Sequence, residues 1–116
     1  MTITLHGIPN CDTVKKARTW LTSQGIAHDF RDYKKALPSA DEIKAWVAQT
    51  GWETLLNKAG TTFRKLRDAD KADLTEGKAI ALMVAHPSLI KRPVLTGAGD
   101  LLVGFKPEAW DVAFGD

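Results

Sequence analysis

The chain has 116 residues, of which 44% are hydrophobic and 26% charged, and its formal net charge is +2. This length and composition are typical of one globular domain whose core needs no disulfide or metal support. The charge is balanced and the basic residues are scattered, which argues against a nucleic-acid-binding surface. There is no leader segment and no run of about 18 apolar residues, so we expect a cytoplasmic protein without membrane association.

The N-terminal part of the chain has the pattern of a strand, a helix and a second strand. Ile3 and Leu5 alternate with polar neighbours, as in a half-buried strand. The apolar residues of the next segment recur at helical spacing, and Gly25 is the predicted end of that helix. Residues 28–33 are predicted to form a second strand. Phe30 should face inward, and this strand should run parallel to the first after a right-handed crossover.

The middle of the chain is predicted to be helical. Ser39 and Glu42 match a capping box at the start of a helix that runs to Gly51. Thr75 is a second predicted N-cap, for a helix that ends before Pro87. Shorter helical pieces are expected at residues 52–57, 63–66 and 88–91.

Two short strands and a last helix complete the pattern. Residues 93–95 and 101–103 flank a glycine-rich turn, which predicts an antiparallel hairpin. Pro107 suits the first position of the last helix. The order is therefore βαβ, several helices and then ββα. It predicts an α/β fold with a thioredoxin-like sheet and a helical insertion at about residues 39–91, in a single domain over residues 1–116.

Cys11 is the only cysteine in the chain, and it lies where the strand pattern gives way to the helix pattern. A thiol at that place is close to free backbone N–H groups and to the positive end of the helix dipole, and both favour the reactive thiolate. Asn10 or Asp12 is the predicted N-cap of this helix, and Lys15 adds positive charge one turn on. The alternative is a small buried hydrophobe, the usual environment of a free cysteine. The polar neighbours favour a solvated loop and a reactive thiol.

The loop of residues 9–13 and the Arg92-Pro93 pair before the third strand resemble the ArsC and Spx superfamily of arsenate-reductase-like proteins, and in particular its small YffB-type subgroup. The segments at residues 55–58 and 104–107 also match the family pattern, so the resemblance covers the whole chain. It implies that Cys11 is the catalytic nucleophile, that Arg92 is a catalytic residue that binds an anion, and that Pro93 follows a cis peptide bond. The residues predicted at the substrate or anion site are Lys106, Asn57, Asn10, Thr13, Lys15 and Pro93.

Departures from the family pattern narrow the expected function. Arsenate reductases of this class hold the oxyanion with three arginines, of which only Arg92 is present here. Asn57 and Lys106 stand at the other two positions, and Gly7 replaces a histidine. Efficient arsenate reduction is not expected, because lysine lacks the planar fork of arginine and asparagine is uncharged. Many Spx-type regulators carry a Cys-x-x-Cys pair, whose second position is Val14 here, so an internal disulfide switch is excluded.

These observations lead us to expect an enzyme, an oxidoreductase that acts as a glutathione-dependent thiol or oxyanion reductase. Oxidised Cys11 would need an external thiol, and glutathione is the abundant cytosolic choice, as a co-substrate rather than a bound cofactor. The alternative is an Spx-like regulatory protein that binds RNA polymerase, in which Cys11 is vestigial or only modulatory. No metal site is expected, because the histidines lack the spacing of metal ligands.

Overall fold

The computed structural model describes residues 2–114. The strands in this range are β1 (Thr4–Gly7), β2 (Asp29–Asp32), β3 (Val94–Thr96) and β4 (Leu102–Val103). The α-helices in the same range are α1 (Asp12–Ser23), α2 (Ala40–Thr50), α3 (Trp52–Leu55), α4 (Thr61–Arg64), α5 (Asp68–Lys71), α6 (Glu76–Ala85) and α7 (Pro107–Phe114). A 3-10 helix (Pro87–Leu89) follows α6. No helix within residues 2–114 is both long and apolar enough to cross a bilayer.

The chain divides into two compact units. The sheet unit comprises residues 2–37 and 92–114, and the helical unit comprises residues 38–91. The four strands described above belong to the sheet unit, and helices α2 to α6 belong to the helical unit. The expectation of a single domain over residues 1–116 stays a prediction.

The sheet has the strand order β2-β1-β3-β4. β1 is parallel to β2 and antiparallel to β3, and β3 is antiparallel to β4. This is the predicted βαβ–ββα arrangement, and α2 to α6 are inserted in the chain between β2 and β3. The prediction of a thioredoxin-like α/β fold with a helical insertion is therefore confirmed.

A row of apolar side chains crosses one face of the sheet. From edge to edge, the row consists of Phe30, Leu5, Leu95 and Leu102. Helices α1 and α7 pack on this row through the buried residues Val14, Ala17, Leu21 and Trp110. Burial of one large apolar side chain contributes roughly 1.5–3 kcal/mol. This packing holds α1 on the sheet, and it thereby fixes the position of the loop that leads into the helix.

α1 ends as predicted. Gly25 has a φ of 70°, and its N–H donates to the carbonyl of Thr22 at 3.0 Å. The N–H of Ile26 donates to the carbonyl of Leu21 at 2.9 Å. These two bonds form a Schellman motif, which explains why the sequence has a glycine followed by an apolar residue at this point.

The start of α1 differs from the prediction. The N-cap is Cys11, with φ −93° and ψ 125°, and not Asn10 or Asp12. The cause is a turn before the helix, in which the N–H of Cys11 donates to the carbonyl of Ile8 at 3.3 Å. The carbonyl of Cys11 already accepts the first helical bond, from Lys15 at 2.9 Å. Asp12 is therefore the first helical residue, where a negative charge suits the positive end of the helix.

Both predicted caps in the helical unit are confirmed. The Ser39 hydroxyl accepts from the N–H of Glu42 at 3.1 Å, and α2 ends before Gly51. The Thr75 hydroxyl accepts from the N–H of Lys78 at 3.3 Å, and α6 ends before Pro87.

The shorter helical pieces differ from the predicted ones. The piece predicted over residues 52–57 is α3, which stops at Leu55, because Leu56 turns to an extended backbone and pairs with Ile90 in an isolated bridge. The piece predicted over residues 63–66 is α4, which starts two residues earlier. The turn predicted over residues 88–91 is the 3-10 helix that starts at Pro87. α5 was not predicted, because three of its four residues are charged and it has no apolar period.

Candidate active site at the start of α1

Cys11 lies at the point where the chain leaves β1 and enters α1. Its side chain is half-buried and packs against the core of the sheet unit. The side chain is therefore neither fully solvated, as predicted for a loop position, nor sealed in the core, as in the alternative. A substrate can reach a half-buried sulfur, and the fixed groups around the sulfur can still change its pKa.

The sulfur is surrounded by hydrogen-bond donors. The backbone N–H groups of Val14 and Thr13 and the guanidinium of Arg92 face it as donors, in weak hydrogen bonds that favour its anionic form. Partial burial raises the pKa of the Cys11 thiol, but these hydrogen bonds and the positive charge of Arg92 outweigh that effect. The pKa of Cys11 therefore lies below its ordinary value of 9.0, which favours the thiolate, the nucleophilic form.

The ionised form also explains the unusual helix start. The Cys11 side chain makes no capping hydrogen bond of full geometry with these N–H groups, and a neutral thiol is only a weak acceptor. A thiolate is a charged acceptor, and hydrogen bonds to ionised groups are stronger than those between neutral groups. The N–H groups at the start of α1 are thus suited to an anionic sulfur.

Arg92 reaches the sulfur through the register of the sheet. Val94 in β3 is opposite His6 in β1, so Arg92, two residues before Val94, lies near the end of β1 that leads into the loop with Cys11. The Arg92-Pro93 peptide bond is cis, which confirms the prediction made from the family resemblance.

The other residues predicted at this site have varied surroundings. Thr13 contributes its backbone N–H to the sulfur. Asn10 is exposed in the loop, Lys15 is exposed on α1, and Lys106 is exposed directly before α7. Their roles in binding a substrate stay predictions.

Asn57 belongs to the helical unit, where it has a structural part. Its Oδ1 accepts from the N–H of Ala59 at 3.2 Å, and its own N–H donates to the carbonyl of Leu89 at 2.7 Å. The predicted part of Asn57 in anion binding stays a prediction.

Sequence reasoning missed the part of Val14, which was predicted only as a core residue. Val14 is the third helical residue after the N-cap, and the N–H at that position is one that a side-chain cap usually satisfies. The signal was present in the sequence, but it depended on knowing that Cys11 is the N-cap.

An open cleft of about 500 Å³ lies along β2, and Pro9 from the loop before Cys11 is in its lining. Its lining includes Arg18 and Lys35 as well as Asp29 and Asp32, so its charges are of both signs. Cys11 is not among the residues that line this cleft. Within residues 2–114, no group of three or more His, Cys, Asp or Glu side chains is placed to hold a metal ion.

The comparison with known proteins shows the family of this chain. The chain belongs to the ArsC family, whose family model matches residues 6–113.

Two solved structures and one regulator illustrate how the chain relates to known proteins. The structure of the YffB protein is 56% identical, with a TM-score of 0.95, and the match covers 98% of this chain and 100% of that one. An arsenate reductase (ArsC) related protein from Brucella melitensis is 46% identical, with a TM-score of 0.78 and coverage of 100% and 97%. The global transcriptional regulator Spx of Listeria innocua is 30% identical over 108 residues, which are 91% of this chain and 82% of that protein. These names point to two kinds of function, a reductase and a regulator.

Proposed function

We propose that this protein is a glutathione-dependent thiol reductase in which Cys11 is the nucleophile and Arg92 binds an anionic group of the substrate. The observation that supports this proposal is the convergence of two backbone N–H groups and one guanidinium on a half-buried sulfur. Because the sequence has no second cysteine, an oxidised Cys11 has to be reduced by an external thiol. Glutathione is the abundant small thiol that suits this task.

The reaction has two thiol–disulfide exchange steps. In the first, the Cys11 thiolate attacks the glutathione sulfur of a mixed disulfide between glutathione and the substrate. The substrate leaves as a thiolate that takes a proton from water, and Cys11 becomes linked to glutathione. In the second, the thiolate of another glutathione attacks the glutathione sulfur of this adduct, which releases oxidised glutathione and the Cys11 thiolate. In the net reaction the mixed disulfide and one glutathione give the substrate thiol and oxidised glutathione.

The lowered pKa of Cys11 acts mainly on the second step. A thiolate of lower pKa is a weaker nucleophile, with a Brønsted slope of about 0.4–0.5, so a larger thiolate fraction gives only a small gain in attack. A thiol of low pKa leaves a disulfide faster, and Cys11 is the leaving group each time the adduct is resolved. The donors at the start of α1 therefore assist the step that ends every turnover.

Arg92 has two tasks in this proposal. Its guanidinium stabilises the Cys11 thiolate, and a planar guanidinium with five N–H donors is suited to pair with a carboxylate of glutathione. A lysine would supply the charge but not the planar fork that binds a carboxylate through two hydrogen bonds. Lys15 and Lys106 are exposed and would add positive charge to the approach of an anionic substrate.

A coupled assay with glutathione, glutathione reductase and NADPH tests this proposal, with the mixed disulfide of glutathione and 2-mercaptoethanol as substrate. We expect turnover by the wild type, and a glutathione adduct on Cys11 by intact mass spectrometry after mixing with oxidised glutathione. Cys11→Ser should show neither. A folded wild-type protein with no turnover and no adduct would contradict the proposal. Arsenate replaces the disulfide in the same assay to test oxyanion reduction.

The similarity to Spx supports a second candidate function, a regulatory protein that binds RNA polymerase. In this case Cys11 would be dispensable for binding. A pull-down from lysate with wild type and Cys11→Ser distinguishes the candidates. Polymerase subunits retained equally by both proteins, together with no turnover, would favour the regulator.

A further inference from the structure

Gly7, the last residue of β1, has no room for a side chain. A Cβ atom at this position would lie 2.8 Å from Cγ2 of Val14 and 3.6 Å from its Cγ1. Carbon atoms in favourable contact lie about 3.5–4.0 Å apart. Even a methyl group on residue 7 would therefore overlap Val14.

The reason for a glycine at this position is space and not backbone conformation. Gly7 is paired with Asp32 in the sheet, and its carbonyl accepts from the N–H of Tyr33 at 2.8 Å. It is not among the glycines with positive φ. An alanine could adopt the same backbone without strain and would restrict the unfolded chain. Any harm from an alanine at position 7 must then come from its contact with Val14.

Val14 cannot turn away from such a contact. It is fully buried, and valine in a helix is almost confined to one χ1 rotamer. Its neighbours in the core are Leu5, Ala17, Leu21, Leu95 and Trp110. A side chain on residue 7 would therefore push the first turn of α1 away from β1.

That first turn is the one that faces the sulfur. Val14 packs its side chain on Gly7 and donates its backbone N–H to the Cys11 sulfur. Arg92 precedes Val94, which is opposite His6 in β1, so its guanidinium acts on the sulfur from the strand side. A shift of the helix start away from β1 would thus also move Cys11 away from the guanidinium.

We propose that Gly7 is a positioning residue for Cys11: the missing side chain lets Val14 pack directly on the end of β1, and this contact sets the position of the first turn of α1 relative to the sulfur and Arg92. The inference rests on the proposed function for the role of Cys11 as nucleophile. Gly7 itself touches no reacting atom and acts through Val14.

The test is a pH titration of the Cys11 thiolate by its ultraviolet absorbance in wild type, Gly7→Ala, Val14→Ala and the double variant. We expect Gly7→Ala to raise the titration midpoint by about half a pH unit, as a weakened helix-end interaction would. In the Val14→Ala background, Gly7→Ala should cause no further shift, because the overlapping methyl groups are gone. Gly77→Ala in α6 is the matched control, since a Cβ there would meet no atom within 4 Å, and it should leave the midpoint unchanged.

Two results would overturn the inference when all variants are folded by circular dichroism. One is an unchanged midpoint in Gly7→Ala, and the other is a shift of equal size in the Val14→Ala background. If Gly7→Ala does not fold, the double variant decides. A folded double variant with the midpoint of Val14→Ala supports the inference, and an unfolded one overturns it. The titration needs no turnover, so a protein whose Gly7 variants shift as expected but which has no reductase activity would fail only the proposed function.

Discussion

Helix α1 of the sheet unit and the two longest helices of the helical unit, α2 and α6, start in different ways. In the helical unit, α2 and α6 start behind hydroxyl groups, each of which accepts the N–H of the third helical residue. In the sheet unit, the third N–H of α1 is directed at a sulfur instead. The two hydroxyl caps and their donors are Ser39 with Glu42 and Thr75 with Lys78, and the residues at the corresponding positions of α1 are Cys11 and Val14.

The difference separates a structural helix start from a reactive one. A hydroxyl cap accepts its N–H group whatever the pH, and it contributes about 1 kcal/mol to the free energy of unfolding. A neutral thiol at the N-cap lacks most of that stabilisation. When the thiol loses its proton, the N–H groups at the start of α1 stabilise the thiolate. The start of α1 is thus less favourable for folding and more favourable for chemistry, as is common where stability and activity compete.

Cys11→Ser should have the largest effect, and its effects on activity and stability should be opposite. Turnover in the glutathione-coupled assay should disappear, because the nucleophile is lost. The free energy of unfolding at a pH below the titration of Cys11 should rise by about 1 kcal/mol, because serine is a good N-cap. Urea denaturation followed by tryptophan fluorescence measures the second effect. Residual turnover, or a serine variant less stable than wild type, would break the contrast between α1 and the hydroxyl-capped helices.

Arg92→Gln should have the next largest effect. The substitution removes a hydrogen bond and a positive charge that both lower the pKa of Cys11, so the pKa should rise. The rate of alkylation by iodoacetamide should then reach half its maximum at a higher pH. Arg67→Gln is the matched control, because Arg67 is 84% exposed and pairs with Asp70 in the helical unit. An equal shift in both variants would point to general charge effects rather than to Arg92.

Local signals explain why much of the fold could be predicted from the sequence. The caps at Ser39 and Thr75 depend only on residues within one turn, and so does the end of α1 at Gly25. The arrangement of the sheet could be predicted from the order of strand and helix patterns along the sequence. The cis bond before Pro93 followed from the resemblance alone, because no local pattern distinguishes it.

The parts that could not be predicted depend on contacts between distant segments or on backbone turns. The turn from Ile8 to Cys11 moved the N-cap away from Asn10 and Asp12. The pairing of Leu56 with Ile90 ended α3 early. At the site, Cys11 and Arg92 were predicted to act together. The contribution of the Val14 N–H was missed, because the apolar side chain of Val14 already explained its position in the helix pattern.

The pH dependence of the free energy of unfolding should further distinguish α1 from the hydroxyl-capped helices. The folded state lowers the pKa of Cys11 below its ordinary value of 9.0, so between these two values the unfolded chain binds more protons. The stabilisation from the thiolate is therefore fully present above pH 9.0 and is lost as the pH falls through the lowered folded-state pKa. Measured against Cys11→Ser, the wild type should gain stability as the pH rises through this window. A difference that is constant with pH would mean that the sulfur is not ionised preferentially in the folded protein.

Ser39→Ala should have the smallest effect on the Cys11 site. It is therefore a good control for the comparison between α1 and the hydroxyl-capped helices. Removing the hydroxyl leaves the N–H of Glu42 without its cap, so the free energy of unfolding should fall by about 1 kcal/mol. The titration midpoint of Cys11 should not move, because Ser39 supplies no group to the sulfur. Thr75→Ala should behave in the same way for α6. If either variant lowers stability as expected and also shifts the midpoint, the thiolate depends on more than the first turn of α1 and Arg92. A midpoint that stays fixed while stability falls would show that the electrostatics of Cys11 are set locally, at the one helix start that lacks an oxygen cap among these three.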